Sequence, residues 1–377
     1  MLLLAGLWAC TPAGEEETGA GAEVLPTCDE LAAAAPQPSG TATALAVDNL
    51  TDPSHLCDEG APLALTGDLR VMEADWKDLS PLACVESISG ALYLYKMFFL
   101  ESLAGADHLG SIGSLRLDTL PQIDSLEPLA GVMRTGTEAV SITQLPRLPD
   151  FTGLRCTEAV DFGFALLPAI HSFAGVPMQS ALPSLSAELL SVTSLDTLAG
   201  MTVGTLRLTG LPYLEEATLA EVTVTDHLTV EYSERLASLA LPSGADDGYH
   251  LTVEGNPALV EITAPPAATL LRTVQLVDLP ALTEVEALSD QETIPALNVT
   301  GTGLSTPGGF PGLLAVDNDL EIRDNPGLTS LTGLASLRSV GSILTITGNT
   351  ALPEAEAEAF AAGLDVGFKT DVSDNGP

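Results

Sequence analysis

The stretch that decides the fold is Leu320–Leu344, which reads LEIRDNPGLTSLTGLASLRSVGSIL. Leu320 and Ile322 alternate with Glu321 and Arg323, the pattern of a β-strand with one buried face. The Asp-Asn-Pro-Gly run that follows predicts a turn. After this turn, apolar side chains recur at every third position: Leu328, Leu331, Leu334, Leu337 and Val340.

The step of three argues against an α-helix, because an amphipathic α-helix mixes steps of three and four. A constant step of three is typical of tight corners, 3₁₀ turns or short strands that wind around a narrow core. We therefore predict that Leu328, Leu331, Leu334 and Leu337 all point inward.

The same pattern repeats along most of the chain. Aligned apolar pairs give strand starts about 23 residues apart: Leu69, Leu92, Leu115, Val140, Phe162, Leu182, Leu206, Leu228, Leu251, Val274, Leu297, Leu320 and Leu344. The pattern slips near Phe162 and Leu182, and a last coil is expected to start at Val366. One coil cannot bury its apolar positions alone, so the coils must stack. The sequence predicts a mainly β fold, a parallel β-solenoid.

Two segments carry a resemblance to a known family. Leu82–Leu94 (LACVESISGALYL) and Ser339–Ile346 (SVGSILTI) resemble the opening of receptor L domains, and the resemblance covers roughly residues 63 to 377. Receptor L domains are flattened, right-handed, leucine-rich β-helices, and similar repeats occur in bacterial surface lipoproteins. The resemblance implies a right-handed solenoid whose stacked sheet is a binding face. The alternative is a leucine-rich-repeat horseshoe with helical convex sides.

The charge of the chain is strongly negative. Lys and Arg total 13 against 51 Asp and Glu, a formal net charge of −38. Such a charge repels a phosphate backbone and excludes nucleic acid as a partner. The carboxylates show no calcium-loop spacing, and we expect neither a bound metal nor a cofactor.

The first residues resemble a bacterial export signal. Met1–Ala9 is an apolar run too short to span a bilayer, and Leu7-Trp8-Ala9-Cys10 resembles the lipobox of bacterial lipoproteins. The resemblance implies a lipid on Cys10 that anchors the protein in a membrane, and Thr11 after it implies the outer membrane. The alternative is an ordinary secretory signal with a chance cysteine.

These features divide the chain into four parts. We expect a signal peptide at 1–9, a lipid-anchored acidic linker and N-terminal cap at 10–62, solenoid repeats at 63–348, and a C-terminal cap with the last coil at 349–377. The run PEAEAEAFAAG at 353–363 predicts one short helix in the C-terminal cap, with proline near its start and glycine at its end.

Four cysteines remain after Cys10. Cys84 and Cys156 occupy the same repeat position three coils apart, about 14 Å, which is too far for a disulfide. A Cys28–Cys57 bond is therefore our first expectation. The L-domain resemblance implies Cys57–Cys84 instead, because L domains tie the first coil to an upstream cysteine. No CxxC pair is present to indicate zinc.

Motifs of catalysis are missing from the sequence. The five histidines are scattered, and neither HExxH nor GxSxG occurs. We expect no catalytic residue and no enzyme. The rival hypothesis is a carbohydrate-active β-helix enzyme, but the carboxylates of Asp118, Glu231 and Glu254 fall on separate coils.

The outward strand positions suggest a binding face instead. Tyr93 and Tyr95 lie one coil from Arg116, and Arg207 takes the position equivalent to Arg116 four coils later. Aromatic and cationic side chains together indicate recognition of an unknown protein or glycan. The alternatives are tyrosines that merely cover an end coil, and a passive structural surface protein.

Overall fold

The computed structural model describes residues 43–46, 56–58, 60–106, 109–130, 137–177, 181–244, 247–263, 270–286, 288 and 291–377. Within them the chain forms a β-solenoid of about 13 turns and about 23 residues per coil. Cys10, Cys28, His55 and His108 lie outside the described residues.

The main sheet has 17 strands among these residues, and they pair in parallel. Its strands are Thr43–Ala46, Leu63–Thr66, Leu69–Met72, Val85–Tyr95, Ser111–Asp118, Thr137–Thr143, Ala159–Ala165, Leu182–Glu188, Thr202–Thr209, Thr223–Glu231, Ser243–Gly244, Tyr249–Glu254, Leu271–Leu279, Ala296–Thr302, Leu320–Arg323, Ile343–Thr347 and Lys369–Ser373.

Two sheets of four short strands complete the coils, one on each of two successive stretches of the solenoid. The first consists of Glu216–Thr218, Ser238–Ala240, Glu261–Thr263 and Glu284–Val285. The second consists of Thr293–Ile294, Ala315–Val316, Ser339–Val340 and Asp365–Val366.

The core is built from ladders of equivalent apolar residues. Leu92 and Leu94 are fully buried, and Leu92 is in register with Leu69 on one side and Leu115 on the other. Because each coil repeats this pair, neighbouring coils bury each other's apolar edge. The β-solenoid predicted from the sequence is confirmed.

The apolar residues at steps of three line the corners of the coils. Leu328, Leu331, Leu334 and Leu337 are all at most 3% exposed, as predicted. Leu334 ends a 3₁₀ helix, so no α-helix runs through residues 328–340. This contradicts the horseshoe alternative, which would place helices on the convex side.

Short 3₁₀ helices recur at this corner: Ser80–Leu82, Glu127–Leu129, Thr152–Leu154, Asp196–Leu198 and Thr332–Leu334. Each begins one residue after a buried Leu or Phe, and an Asp or Ser just before that residue accepts the first helical N–H. Asp78 Oδ1 accepts from Ser80 N at 2.9 Å, and Ser330 Oγ accepts from Thr332 N at 3.2 Å. The sequence signature is therefore [Asp/Ser]-[Leu/Phe]-x-x-Leu.

The strand start predicted at Leu182 is wrong. Leu185, not Leu182, is in register with Phe162 and with Leu206. Leu182 is an additional inward residue that pairs with Val203, and the small Ala187 at the proper position weakens the apolar pattern.

The last coil is also displaced from its predicted start. Val366 pairs with Val340 in the second of the short-stranded sheets, not in the main sheet. Thr370 is in register with Leu344 instead, within the strand Lys369–Ser373. The start of this coil was misplaced because a polar threonine occupies a position that is apolar in the neighbouring coils.

The C-terminal helix is present at Glu354–Ala362. Its first turn closes the end of the solenoid: Glu354 Oε2 accepts from Asn375 N at 3.1 Å, and Glu356 Oε1 accepts from Leu331 N at 3.1 Å. These carboxylates satisfy N–H groups at the end of the coil stack. No helix in the described part of the chain has the length and apolar character needed to cross a membrane.

A disulfide joins Cys57 to Cys84, with their Cα atoms 5.4 Å apart. The expected Cys28–Cys57 bond is therefore wrong, because Cys57 has one sulfur and its partner is Cys84. The pairing is the one that the L-domain resemblance implies, and it ties the segment between the strands Thr43–Ala46 and Leu63–Thr66 to the corner after Ser80–Leu82. Cys156 is also disulfide-bonded.

Candidate functional site

The outward residues of the main sheet form one continuous row. Tyr93 is in register with Arg70 on one side and Arg116 on the other, and Ser141 follows Arg116. Neighbouring strands are about 4.8 Å apart, so these side chains stand next to one another. The predicted adjacency of Tyr93, Arg116 and Ser141 is found in the structure.

A groove of about 560 Å³ opens over this part of the row. Its charged and aromatic lining residues are Asp68, Arg70, Tyr93, Arg116, Asp118 and Glu138. Small residues, including Ser89, Gly90 and Gly113, line the rest, so the floor is low and the long side chains form the walls.

Tyr93 supplies an aromatic wall of the groove, and Tyr95 stacks on Tyr93 outside the lining. The rings of Tyr93 and Tyr95 stack with centroids 5.7 Å apart, and both side chains are only partly buried. The ammonium of Lys96 lies 4.9 Å from the Tyr95 ring centroid and 3.7 Å from Glu73 Oε1. The Tyr93 side chain is therefore partly accessible to solvent.

The two arginines of the groove differ in how they are bound. Arg70 Nη2 lies 3.3 Å from Asp68 Oδ2. Arg116 is exposed, and within the described residues it has no hydrogen bond or ion pair. Arg116 is therefore the cation that can bind an incoming anion without first breaking an ion pair.

Asp68 is held in place by the neighbouring coil. Its Oδ1 accepts a hydrogen bond from Ala91 N at 2.9 Å, and this bond, with a smaller contribution from Arg70, lowers the pKa of Asp68. The carboxylate is thus fixed in its ionised form and holds Arg70 at one end of the groove.

The Tyr93 hydroxyl stays neutral at physiological pH. Its pKa is raised from the ordinary value of 10.0, first by burial and then by the negative charge of Asp118. A neutral phenol both donates and accepts hydrogen bonds, as recognition of a sugar hydroxyl or a peptide group requires.

Arg207 is on the same row but outside the groove. The rungs of Ser141, Gly163 and Ser186 separate it from Arg116. Its Nη2 lies 2.6 Å from Glu231 Oε2, whose side chain is 11% exposed. Arg207 therefore neutralises a largely buried carboxylate, and the structure does not bring it together with the tyrosines.

The carboxylates considered for catalysis have other contacts. Glu231 binds Arg207, and Glu254 Oε1 accepts from the Tyr232 hydroxyl at 2.7 Å. Asp118 stands at the groove beside Tyr95, in register with it. The three lie on separate coils, as the sequence indicates.

Several residues of the groove were missed by the sequence reasoning. Arg70 follows Leu69, the first strand start, so the 23-residue period places it on the outward row. Asp68 had no such signal, because it lies just before a strand, where the direction of a side chain depends on the turn.

Histidines that are far apart in sequence are close in the structure. His227 and His250 are in register, and their rings stack 4.6 Å apart. His227 Nδ1 lies 2.9 Å from Asp226 Oδ2. Among the described residues, no group of three or more His, Cys, Asp or Glu side chains is arranged to hold a metal ion.

Comparison with solved structures gives a weak likeness in fold. A leucine-rich repeat protein from Bacteroides eggerthii, known from its crystal structure, is similar over 85% of this chain and 71% of its own length, with 9% identity and a TM-score of 0.28. No protein-family model and no curated protein matches the chain. The solenoid fold itself is compatible with a binding or a structural module.

Proposed function

We propose that this protein is a non-enzymatic recognition module, tethered by a lipid to the bacterial envelope, that binds an anionic or glycan ligand in the Tyr93–Arg116 groove. The observation that carries the proposal is an exposed arginine without an ion pair beside two accessible, stacked tyrosines, on a chain with a net charge of −38. On so acidic a molecule, this groove offers an anion an arginine that no carboxylate occupies.

The geometry of the groove suits a ring-shaped polar ligand. The Tyr93 ring offers an apolar face, and Arg70, Arg116 and the carboxylate of Asp118 offer hydrogen bonds around it. A sugar ring has an apolar face and polar edges, so it can use both kinds of contact. A carboxylate on the sugar or on a peptide would pair with Arg116.

We further propose that the solenoid is of the receptor L-domain type. It is supported by the motifs at Leu82–Leu94 and Ser339–Ile346 and by the disulfide between Cys57 and Cys84. In L domains the stacked sheet serves as a binding face, and the groove described above lies on the main sheet.

The binding role is tested by screening the purified protein against arrays of neutral and acidic glycans and against envelope proteins. Tyr93→Ala and Arg116→Ala should each abolish capture of a ligand that the unaltered protein retains, with nearly unchanged thermal stability. Gln275→Ala is the matched control, because Gln275 is exposed on the same outward row, distant from the groove. Capture that survives both groove substitutions would refute the proposed site.

The anchor is tested separately by mass analysis of the mature protein from a bacterial host. We expect an acylated N-terminal Cys10 and no Met1–Ala9, with the protein in the outer-membrane fraction. Two or three acyl chains give effectively permanent anchoring. An unmodified N-terminus at another residue would contradict the anchor while leaving the binding role intact.

A further inference from the structure

A second surface lies at the corner that follows the outward row. In each coil, one residue there has a positive φ: Glu73, Lys96, Thr119, Gln144, Leu166, Leu189, Gly210, Tyr232, Gly255, Asp278, Gly301, Asp324, Gly348 and Asp374. This left-handed conformation costs an ordinary residue roughly 1–2 kcal/mol and is tolerated best by Gly, Asn and Asp. From Gly255 onward the coils use only Gly and Asp.

Leucine is unexpected at such a position. Leu166 (φ 56°) and Leu189 (φ 54°) adopt it, and their side chains are 39% and 44% exposed. They accept the backbone strain, yet they leave much of their apolar surface in water. Backbone strain at side chains that remain about two-fifths exposed points to a functional surface.

The two leucines form one side of an apolar groove. A proline stands two residues after the left-handed residue in three successive coils, at Pro121, Pro146 and Pro168. With Thr119, Gln144 and the leucines, these prolines enclose about 500 Å³. The groove spans the coils from Thr119 to Leu189, about 14 Å along the solenoid.

Further exposed apolar residues extend the groove in both directions along the same corner. Phe98 and Phe99 are 51% and 59% exposed one coil before Thr119, and Tyr213 and Tyr232 are 52% and 53% exposed beyond Leu189. We call the whole surface from Phe98 to Tyr232 the apolar strip. It spans seven coils, and the six spacings between them make about 29 Å. Among the described residues, this corner carries no large exposed apolar side chain after Tyr232.

Charge decides what can cover the strip. Asp118 and Glu188 directly precede two groove residues, Thr119 and Leu189, and the whole chain carries a net charge of −38. Arg147, beside Pro146, already donates to Gln122 Oε1 at 2.9 Å and lies 3.9 Å from Asp124. A second copy of this chain would bring the same negative charge, so the surroundings favour a basic partner.

We propose that the apolar strip binds an extended, basic segment of a partner protein whose apolar side chains enter the groove between the prolines and Leu166 and Leu189. The strip is narrow and follows the solenoid axis, a shape that fits an extended chain of about nine residues at about 3.3 Å per residue. This surface is separate from the Tyr93–Arg116 groove and does not depend on the function proposed for it.

The test uses fluorescent peptides of about twelve residues, long enough to span the strip. One alternates lysine with leucine, a second lysine with serine, and a third glutamate with leucine. Binding is followed by fluorescence anisotropy at physiological salt. We expect the lysine–leucine peptide alone to bind, and the double variant Leu166→Asn/Leu189→Asn to weaken its binding about a hundredfold, because two apolar contacts are lost.

Asparagine keeps the left-handed backbone, so the double variant should fold at least as well as the unaltered protein. Val260→Asn is the control, since Val260 is 46% exposed but lies outside the strip, and binding should not change. Equal binding of the lysine–serine peptide, or undiminished binding by the double variant, would overturn the proposal. Absence of binding by any peptide would overturn it too, as would self-association of the protein that the double variant abolishes.

Discussion

The same corner of the coil is built in two ways in the two halves of the solenoid. The residue after the left-handed position is apolar in the first half: Met97, Leu120, Leu145, Leu167, Leu190 and Leu211. In the second half it is polar, with Leu279 as the exception: Ser233, Asn256, Thr302, Asn325 and Asn349 are buried, and Asn375 is half-buried. We call these the leucine corner and the asparagine corner.

The asparagine corner is a continuous hydrogen-bonded ladder over its last coils. Asn325 Nδ2 donates to Val299 O at 2.9 Å and to Asn349 Oδ1 at 3.0 Å, and Asn325 Oδ1 accepts from Thr302 N at 2.8 Å. Asn349 repeats this pattern with Asn375. The side chain of each coil thus satisfies the backbone of the coil before it.

Ser233 joins the two corners. Its N–H donates to Asn256 Oδ1 at 2.8 Å, while its Oγ accepts from Leu211 N at 3.2 Å. The comparison teaches that one backbone turn tolerates either solution. A leucine is stabilised by packing on its neighbours, whereas an asparagine needs a specific acceptor or donor from the adjacent coils.

The largest effect is expected from placing a leucine in the asparagine corner. Asn325→Leu would leave the Thr302 N–H without its acceptor and would remove one donor each from Val299 O and Asn349 Oδ1. At about 1–3 kcal/mol for the unsatisfied N–H and about 0.5–1.5 kcal/mol for each of the other two lost hydrogen bonds, the cost is about 2–6 kcal/mol. Urea unfolding followed by circular dichroism measures it, with hydrogen exchange to localise the loss.

The comparison fails if Asn325→Leu is neutral, since the two corners would then be interchangeable. The matched variant is Leu145→Ile in the leucine corner, which keeps the apolar volume and should cost less than about 1.5 kcal/mol.

The second-largest effect is expected at the 3₁₀ corner, where the two halves of the solenoid are built alike. Leu334 and Leu129 end equivalent 3₁₀ helices in different halves, and each is 1% exposed. Leu334→Ala and Leu129→Ala should each cost about 2–5 kcal/mol from lost packing and the cavity that remains. Similar losses in the unfolding free energy would confine the difference between the halves to the left-handed corner. A cost below about 1 kcal/mol at Leu334 would contradict its core position.

The sequence revealed the coils because buried leucines repeat at a fixed period, and a ladder position tolerates few alternatives. It missed the register at Leu185 and Thr370, where Ala187 and a polar residue replaced large apolar side chains. Tyr93 and Arg116 could be placed side by side, because strand alternation fixes which face they occupy. The ion pair between Arg207 and Glu231, which occupies the arginine outside the groove, could not be predicted, since it joins residues of adjacent coils through long side chains.

The asparagine corner was partly visible in the sequence as Asn-Pro at Asn256 and Asn325, which we interpreted only as a turn. Its hydrogen bonds cross between coils and depend on backbone geometry that the pattern does not contain. The apolar strip was invisible for a related reason. Leu166 and Leu189 are apolar residues that occupy outward positions, so a hydrophobic pattern alone assigns them to the core.

A smaller effect is expected at the left-handed position itself. Leu189→Asn relieves backbone strain and replaces a side chain that is already 44% exposed, so we expect an increase of up to about 1 kcal/mol in the unfolding free energy. In the second half the Gly and Asp residues already fit this position, and Asp278→Asn should change stability little. Clear destabilisation by Leu189→Asn would show that Leu189 supports the fold, and the strip would then need no ligand to explain it.

The smallest effect concerns the stacked histidines, which lie in the coils where the leucine corner gives way to the asparagine corner. Burial, the nearby His227 and Arg272 lower the pKa of His250 below the ordinary 6.5, while Asp226 opposes them. Asp226 contacts both His227, at 2.9 Å, and Arg272, at 3.6 Å. The unfolded chain therefore takes up a proton before the folded chain does. Stability is intact above about pH 6.5, declines as the pH falls below that value, and levels off once the folded His250 is also protonated.

Urea unfolding at a series of pH values between about 7 and 5 measures this decline, and His250→Gln should make it shallower by removing the titrating group. Carboxylate titration at lower pH affects both proteins alike, so the difference between them isolates His250. An identical pH dependence for the two proteins would show that protonation of His250 does not weaken this junction.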